Sequence, residues 1–442
     1  MVNLTKLLII LIFLTNCSFD NKSGIWKNEN VISNKDQDIF KDFKTLSSEN
    51  EIYNKVKILQ SNYNFKLTKT ITNTNWNDIF YDQSNNFKNL NLGNSNKLAF
   101  KGKKISKHPV DNFILYEDEN IIINNDRGSL IVFSINSKSI IADFNFYKKK
   151  YKKIKIKINY VLEKNIIYVS DNLGYLYAYN YKKLKLLWAK NYKIPFRSNL
   201  KISGQNLIAS NQNNNLYFFN KKTGDILKTI PTEDTFVKNQ FVNNLSANNE
   251  NIFFLNTYGS LYAIDGNNGR VIWFINLNQS LDINPSNLFI GSQIINNKKI
   301  IVTSSNQFTY VINADNGSII FKKNFTPITK PLINSDHLFL ITKNNLLVSM
   351  NLKDGQIIYS YDINKKIADF LKIKKKRAKF KFMMLASNKI LIFLNNSYLL
   401  KFKLDGELEE VLKLPSKLNT YPIIVDNSLL YLDNKNKLSI IN

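Results

Sequence analysis

Seven segments of the sequence repeat one pattern, in which an apolar strand, a short polar turn and a second apolar strand follow one another. They begin at Gly128, Gly174, Asn215, Gly259, Gln307, Asn345 and Ser397. The turns place Gly where a hairpin needs a positive φ, as at Gly224, Gly269 and Gly317. Further apolar strands precede the hairpins. Four antiparallel strands recurring every ~40 to 50 residues are typical of the blades of a β-propeller.

The two ends of the repeat region indicate how the ring closes. An eighth hairpin begins at Lys437, but the sequence stops at Asn442, before an outer strand. Residues 97–102 stand just before the first full repeat, in the place of an outer strand. Because an unpaired sheet edge is unfavourable, we expect this segment to pair with the C-terminal strands. The sequence predicts an all-β, eight-bladed β-propeller of four-stranded antiparallel blades over residues 76–442, with seven blades as the alternative.

The N-terminus has the pattern of an exported lipoprotein. Lys6 is followed by a short apolar run, residues 7–14, and then by Thr15, Asn16 and Cys17. Eight apolar residues are too few to span a bilayer as a helix, which needs about 20 residues. We therefore predict a signal peptide over residues 1–16 and lipidation of Cys17, the single cysteine of the chain. Residues 17–75 are rich in Asn and Lys and are predicted to be a flexible tether.

The formal net charge of +27 raises the question of a polyanionic partner. Lysines are spread over the whole sequence, including turns, so a nucleic-acid partner is not favoured. Residues 148–157 and 372–381 alternate Lys with apolar residues, as the solvated face of an exposed strand does. The alternative for these two basic runs is a cationic surface near an anionic membrane.

The residue types needed for catalysis are sparse and scattered. His108 and His337 are the only histidines, lack metal-ligand spacing, and are predicted to be surface residues. No phosphate-binding glycine loop or nucleophile elbow is present. The plentiful Asn and Asp residues fall in turns, where hairpin geometry accounts for them. We therefore expect no enzyme activity, no metal site and no cofactor.

One repeat carries a family resemblance. Residues 259–273 read Gly-x-Leu-Tyr-Ala-x-Asp-x-x-x-Gly-x-x-x-Trp, with residues 174–188 as a looser copy. This pattern resembles the repeat of PQQ-type eight-bladed propellers. The resemblance implies that the aromatic residue ending each outer strand packs toward the neighbouring blade. The positions concerned are Trp188, Trp273, Phe321 and Tyr359.

Together with the lipoprotein signal, the propeller is similar to the BamB family of the outer-membrane β-barrel assembly machine. That resemblance implies an outer-membrane lipoprotein that faces the periplasm and docks on the periplasmic domains of the barrel-inserting subunit, with unfolded outer-membrane proteins as further possible clients. The family's docking loop corresponds to Ile194, Pro195, Phe196 and Arg197, with Phe196 expected to be exposed. The alternative is that Phe196 fills its own blade edge.

Two features leave room for other interpretations. The acidic residues that the family places on the next loop are missing around residues 241–244, and only Glu233 and Asp234 lie nearby. The repeat is also shared with quinone-dependent dehydrogenases, which the resemblance associates with a calcium site, a catalytic Asp and often a vicinal cysteine pair. A quinone-dependent enzyme and a scaffold of another envelope complex therefore stay as alternatives to a barrel-assembly scaffold.

Overall fold

The computed structural model describes residues 17–19, 26–28, 53–93, 96–147, 151, 153–234, 242–278, 288–305 and 307–442. The chain divides into two units, Met1–Glu51 and Ile52–Asn442. In the first unit, β1 (Cys17–Phe19) pairs antiparallel with β2 (Trp26–Asn28). The predicted signal peptide, residues 1–16, lies outside the described residues. None of the described helices is long and apolar enough to cross a membrane.

The second unit consists of eight four-stranded antiparallel sheets. Blade 1 contains β4 (Leu115–Glu117), β5 (Asn120–Asn124), β6 (Ser129–Ser134) and β7 (Ser139–Asn145). Blade 2 contains β8 (Ile158–Glu163), β9 (Ile166–Asp171), β10 (Tyr175–Asn180) and β11 (Lys185–Asn191). Blade 3 contains β12 (Lys201–Ser203), β13 (Asn206–Ser210), β14 (Leu216–Asn220) and β15 (Ile226–Ile230). Blade 4 contains β16 (Asn244–Ala247), β17 (Asn251–Leu255), β18 (Ser260–Asp265) and β19 (Val271–Asn276).

The remaining four blades follow the same order. Blade 5 contains β20 (Ile295–Asn297), β21 (Ile300–Ser304), β22 (Thr309–Asn313) and β23 (Ile319–Lys323). Blade 6 contains β24 (Leu332–Asn334), β25 (His337–Ile341), β26 (Leu346–Asn351) and β27 (Ile357–Asp362), and α1 (Ile363–Leu371) follows it. Blade 7 contains β28 (Phe380–Ala386), β29 (Lys389–Leu394), β30 (Tyr398–Lys403) and β31 (Leu408–Lys413). Blade 8 contains β32 (Ile423–Val425), β33 (Ser428–Leu432), β34 (Lys437–Ile441) and, as its outer strand, β3 (Leu98–Lys104).

The predicted eight-bladed propeller and its closure are confirmed. β3 pairs antiparallel with β34, and the register places Leu98 opposite Ile441 and Lys104 opposite Lys437. The closing strand covers most of the predicted residues 97–102 and extends two residues further. The middle strands of the blades are almost entirely buried, whereas most outer strands are exposed or half-buried, as in β11, where exposed and half-buried residues alternate. This alternation follows from a sheet that has a packed side and a solvated side.

The axis of the ring is filled by the chain itself, and we name residues 73–90 the axial segment. It hydrogen-bonds with the innermost strand, or the residue next to it, in all eight blades. In blade order the pairs are Trp76 with Tyr116, Asn77 with Leu162, Gln83 with Ile202, Asn85 with Leu245, Ser84 with Asn296, Asn86 with Ile333, Leu90 with Leu385, and Asn73 with Ile424. These bonds satisfy backbone groups on innermost strand edges that would otherwise lack partners.

A buried ion pair joins the axial segment to blade 3. The Lys201 Nζ atom donates to Asp78 Oδ2 at 2.7 Å and to Asn85 Oδ1 at 2.6 Å, and the side chains of Lys201 and Asp78 are 0% and 4% exposed. Burial raises the pKa of Asp78, and the Lys201 ammonium opposes that rise. Since each charge has lost its water, each depends on the other for compensation.

Residues 53–71 lead to the axial segment along blades 6 and 7. The backbone N–H and C=O of Lys57 exchange hydrogen bonds with those of Ser360 at the outer strand of blade 6, and Thr68 N donates to Asn388 Oδ1 at 3.0 Å in blade 7. Part of the stretch predicted to be a tether therefore lies along the propeller.

The same stretch covers one of the two histidines. The Tyr63 hydroxyl lies 2.6 Å from His337 Nε2 and covers that side chain. The prediction that His337 is a surface residue is wrong, since it is 7% exposed; His108 is exposed as predicted.

We expect the substitution Lys201→Met to lower the free energy of unfolding by about 3–5 kcal/mol, because Asp78 would stay buried without its charge partner. Urea denaturation measures this. The double variant Lys201→Met/Asp78→Asn should recover much of the loss, since it removes both charges. Lys88 provides the control: it is 60% exposed and lies 3.5 Å from Asp82, so Lys88→Met should cost less than about 1 kcal/mol. Equal losses for the two single variants would contradict a structural role for the axial ion pair.

Candidate functional site

The blade order defines one face of the propeller on which the inter-blade segments gather. Within each blade the four strands are antiparallel and run from the axis outward, so the outer strand ends at the face where the next innermost strand begins. We name it the connection face. Its described residues are 146–147, 151, 153–157, 192–200, 231–234, 242–243, 277–278, 288–294, 324–331, 363–379, 414–422 and 105–114. Loops gathered on one face of a rigid scaffold are the usual location of binding residues.

The predicted docking loop lies on the connection face between blades 2 and 3. Arg197 N donates to Ser210 O at 3.0 Å, and Asn243 N donates to Arg197 O at 2.9 Å, so the backbone is held on both sides. The Arg197 Nε atom is buried and has no hydrogen-bond partner among the described residues. Such a donor favours an incoming acceptor, because a buried unpaired N–H is costly.

Phe196 does not have the exposure expected of an anchor residue. It is 3% exposed and packs with Tyr192 and Phe219, with ring centroids 5.9 and 6.1 Å away. The expectation of an exposed Phe196 is therefore wrong, and the alternative, in which Phe196 fills its own blade edge, describes the structure. The reason is that the aromatic rings of blade 3 provide an apolar niche beside the loop. Ile194 and Arg197 are partly exposed. A role of Ile194, Phe196 and Arg197 in partner binding stays a prediction.

The aromatic residues of the outer strands contact turn glycines of the following blade. Trp188 lies against Gly224, where an added Cβ atom would be 2.6 Å from Cε3 of the indole, and Trp188 Nε1 donates to Lys221 O at 3.0 Å. Trp273 repeats the arrangement, with Gly317 against its ring and a 2.9 Å bond to Ala314 O. In the next two blades, Phe321 faces Gly355, and Tyr359, together with Tyr361, faces Gly406.

A funnel opens at the centre of the connection face. Its volume is about 490 Å³, and its floor is the tip of the axial segment, Ile79, Phe80 and Phe87. Lys330 projects into it, donating to Phe80 O at 3.0 Å and Asn85 O at 2.7 Å, with Nζ 3.6 Å from the Phe87 ring centroid. Burial lowers the pKa of Lys330 to about 7. The described residues that line the funnel include Lys330 and Lys381 but no carboxylate.

These features do not fit a calcium-dependent quinone at the axis. A calcium ion requires several oxygen ligands, carboxylates among them. The described residues contain no group of three or more His, Cys, Asp or Glu side chains that could hold a metal ion. Where the funnel narrows, the axial segment fills the space and its carbonyls are already bound to Lys330.

Glu233, one of the two acids near the docking loop, is used within the chain. Its carboxylate accepts hydrogen bonds from Ser260 Oγ at 2.6 Å, Tyr262 Oη at 2.6 Å and Asn256 Nδ2 at 2.8 Å. Burial raises the pKa of Glu233, but these hydrogen bonds outweigh it, and the net pKa is lowered. Asp234 is exposed. Residue 241, at the expected position of the family's acids, lies outside the described residues.

Comparison with known proteins indicates the class of protein to which this fold belongs. The sequence model of a family described as outer membrane protein assembly factor BamB matches residues 156–361. BamB from Moraxella catarrhalis has a similar fold, with a TM-score of 0.59 and 12% identity over 77% of this chain and 99% of that chain. The quinohemoprotein alcohol dehydrogenase from Comamonas testosteroni is similar at a TM-score of 0.62 and 12% identity, over 83% and 80%. No curated protein matches significantly.

The class is therefore that of PQQ-like eight-bladed β-propellers. At 12% identity the solved structures establish this fold alone. The BamB family model matches the docking loop and blades 2 to 6, and the same fold is shared with the quinohemoprotein alcohol dehydrogenase. The chain is a PQQ-like eight-bladed propeller, its residues 156–361 match the BamB family model, and the resemblance seen in its repeats is confirmed.

The contact between Trp188 and Gly224 can be tested with a pair of glycines. Gly224 and Gly204 both have positive φ, 76° and 55°, but a Cβ at position 204 would have no atom within 4 Å. Either Gly→Ala substitution should cost about 1 kcal/mol for its backbone conformation. Gly224→Ala should cost about 1–3 kcal/mol more by overpacking against the indole. Thermal or urea unfolding measures both. In a Trp188→Ala background the two substitutions should cost the same, and a persisting difference would argue against the contact.

The hydrogen bonds to Glu233 predict a pH dependence. Because the folded-state pKa of Glu233 is lowered, its stabilisation is complete above the unfolded value of about 4.5 and is lost as pH falls through the lower folded value. Glu233→Gln should lower the free energy of unfolding by about 1 kcal/mol at pH 7, a modest loss since water screens the partly exposed group. The difference from wild type should shrink below pH 4. Asp234→Asn is the control, and a pH-independent difference would contradict the assignment.

Proposed function

We propose that this chain is a non-catalytic scaffold lipoprotein of the outer-membrane β-barrel assembly machine. In this proposal Cys17 carries the lipid anchor, the propeller faces the periplasm, and the connection face docks on periplasmic domains of the barrel-inserting subunit. The observation that carries the proposal is the match of residues 156–361 to the family described as outer membrane protein assembly factor BamB. Unfolded outer-membrane proteins are possible further clients.

The geometry of the docking loop supports this role. Its backbone is fixed between blades 2, 3 and 4 by hydrogen bonds of Arg197 with Ser210 and Asn243. A fixed loop loses little conformational entropy on binding, which favours affinity. Phe196 holds the loop from inside, so the contact falls to Arg197 and Ile194. The guanidinium can bind a partner carboxylate in a bidentate manner, and the sec-butyl side chain of Ile194 adds apolar area.

A quinone-dependent dehydrogenase is the second candidate, because the fold is shared with the Comamonas enzyme. Two features weigh against it. The axial segment occupies the centre of the ring, and the described residues of the funnel are cationic rather than acidic. A scaffold of another envelope complex would have the same fold and differs from our proposal only in its partner.

The proposal is tested by recovery of the barrel-inserting subunit with the tagged full chain from detergent-solubilised envelopes. We expect Arg197→Glu to lower recovery at least tenfold, equivalent to about 1.4 kcal/mol, because it replaces the charged donor by an acceptor. Ile194→Ser should give a smaller loss. Phe196 is not suitable for this test, since its substitution would also create a cavity.

Lys193→Glu is the matched control, because Lys193 is an exposed neighbour in the same loop and undergoes the same change of charge. Its recovery should stay near that of wild type. If wild type recovers no barrel-inserting subunit, the proposed partner is wrong. If Lys193→Glu and Arg197→Glu lose recovery equally, general charge attraction replaces the specific contact.

A further inference from the structure

A helix at the connection between blades 6 and 7 ends in an exposed basic and apolar tip. Residues 370–377 are eight consecutive exposed residues that comprise three apolar and five basic side chains and no acid. The apolar members are Phe370, Leu371 and Ile373, which are 46%, 41% and 51% exposed. We name residues 370–377 the helix tip. The sequence-based expectation of a strand is wrong here, since β28 begins only at Phe380.

The helix tip has a defined shape. Lys372 adopts the left-handed conformation at φ 54°, and its N–H donates to Ala368 O, as does the N–H of Ile373 at 3.0 Å. These bonds close the last turn of α1 in the way of a helix C-cap. On the far side, Ala378 N donates to Asn364 Oδ1 at 2.8 Å, which ties the end of the tip back to α1. The apolar side chains are therefore presented to solvent by a closed turn.

A second inter-blade connection also combines exposed apolar and basic side chains. Between blades 1 and 2, Lys153, Ile154 and Lys155 are exposed, Ile154 to 42%. The next residue, Ile156, is 1% exposed, and its N–H donates to Asp126 O at 3.1 Å. Because Ile156 is buried and hydrogen-bonded, it fixes the position of the exposed Ile154. We name residues 153–155 the Ile154 tip. It too precedes its strand, β8, rather than forming part of it, which corrects the expectation for the basic run 148–157; residues 148–150 and 152 lie outside the described residues.

Both tips lie on the same face of the propeller. Each belongs to a segment that joins an outer strand to the next innermost strand, and all such segments emerge on the connection face. Exposed isoleucine and phenylalanine side chains are costly in water, and lysines placed around them do not cover them. The pairing of exposed apolar tips with surrounding cations is the composition of surfaces that lie at a membrane interface.

We propose that the part of the connection face formed by the helix tip and the Ile154 tip docks on an anionic phospholipid surface, with Phe370, Ile373 and Ile154 entering the interface and the surrounding lysines contacting headgroup phosphates. The charge of the two tips favours an anionic membrane as the partner. The tips contain no acidic residue, and juxtamembrane clusters of Lys and Arg are attracted to anionic leaflets. The apolar side chains favour a bilayer over a purely polar polyanion, since a nucleic acid backbone offers them no apolar phase. This goes beyond the proposed function, and its test does not involve the barrel-inserting subunit.

The experiment is vesicle flotation of the full chain carrying Cys17→Ala, so that no acyl chain contributes. Vesicles of phosphatidylcholine alone are compared with vesicles containing 40% phosphatidylglycerol, a fraction of about that size giving a strongly anionic surface. We expect at least tenfold more bound protein on the anionic vesicles, falling as salt is raised because of screening. Lys374→Glu/Lys376→Glu should lose most of this binding, and Phe370→Ser/Ile373→Ser should lose severalfold.

The matched control is Lys183→Glu/Lys222→Glu. Both lysines are exposed and lie in the turns between the third and outer strands of blades 2 and 3, which emerge on the opposite face. This variant has the same net charge as Lys374→Glu/Lys376→Glu, but because its connection face is unaltered, it should bind vesicles like the protein with Cys17→Ala alone. Thermal unfolding of each variant checks that the propeller is intact.

Three results would overturn the proposal. The first is equal binding to neutral and anionic vesicles. The second is an equal loss for the tip and control lysine variants, which would mean attraction by net charge alone. The third concerns a single-stranded DNA oligonucleotide used in place of vesicles: if the lysine tip variant loses DNA and vesicle binding alike, while the serine variant loses neither, the surface binds polyanions and not membranes.

Discussion

The propeller depends on the hydrogen bonds between the axial segment and its eight innermost strands. In a ring of blades these strands converge on the axis, and each presents backbone groups that no neighbouring strand can reach. The axial segment supplies partners to all of them, using side-chain amides of Asn73, Gln83, Asn85 and Asn86 as well as its own backbone. The buried pair of Lys201 and Asp78 sets its position relative to blade 3. The loss of hydration by both charges offsets much of their mutual attraction.

A filled axis changes how such a fold can interact with other molecules. In a propeller with an open channel, ligands can bind along the axis. Here the axial segment fills the ring between the funnel above Phe80 and Phe87 and a second cavity of about 320 Å³ beside Asp78 and Asp82. The proposed function accordingly places binding on the surface loops of the connection face. The docking loop, the funnel and the two basic tips all lie on that face, and residues 53–71 contact blade 6 at its outer strand and blade 7 at the turn after its innermost strand.

Sequence reasoning succeeded where the signal is periodic. The blades, their order and the closing strand follow from repeated apolar strands and turn glycines, because each repeat must bury the same surfaces. The axial segment was missed, since its asparagines resemble those of turns, and only the cluster of Trp76, Phe80, Tyr81 and Phe87 distinguishes it. Phe196 and His337 were misjudged for one reason: a single sequence does not show which distant side chain, Phe219 or Tyr63, will cover a residue. The basic runs have strand-like alternation, yet in their described residues the main chain forms a capped helix end, a loop and only the first two residues of β28.

Closure of blade 8 by β3 also governs the order of folding. Residues 98 and 441 are paired in the register, so nearly the whole propeller lies between the two strands of one contact. During synthesis the axial segment and β3 emerge first, yet both complete their hydrogen bonds only after the last strand has been made. Contacts of such large sequence separation are slow to form and leave strand edges unpaired in the meantime. The ring therefore cannot close before the C-terminal strand β34 has been synthesised, and until blade 8 forms, both β3 and Asn73 of the axial segment lack their hydrogen-bond partners.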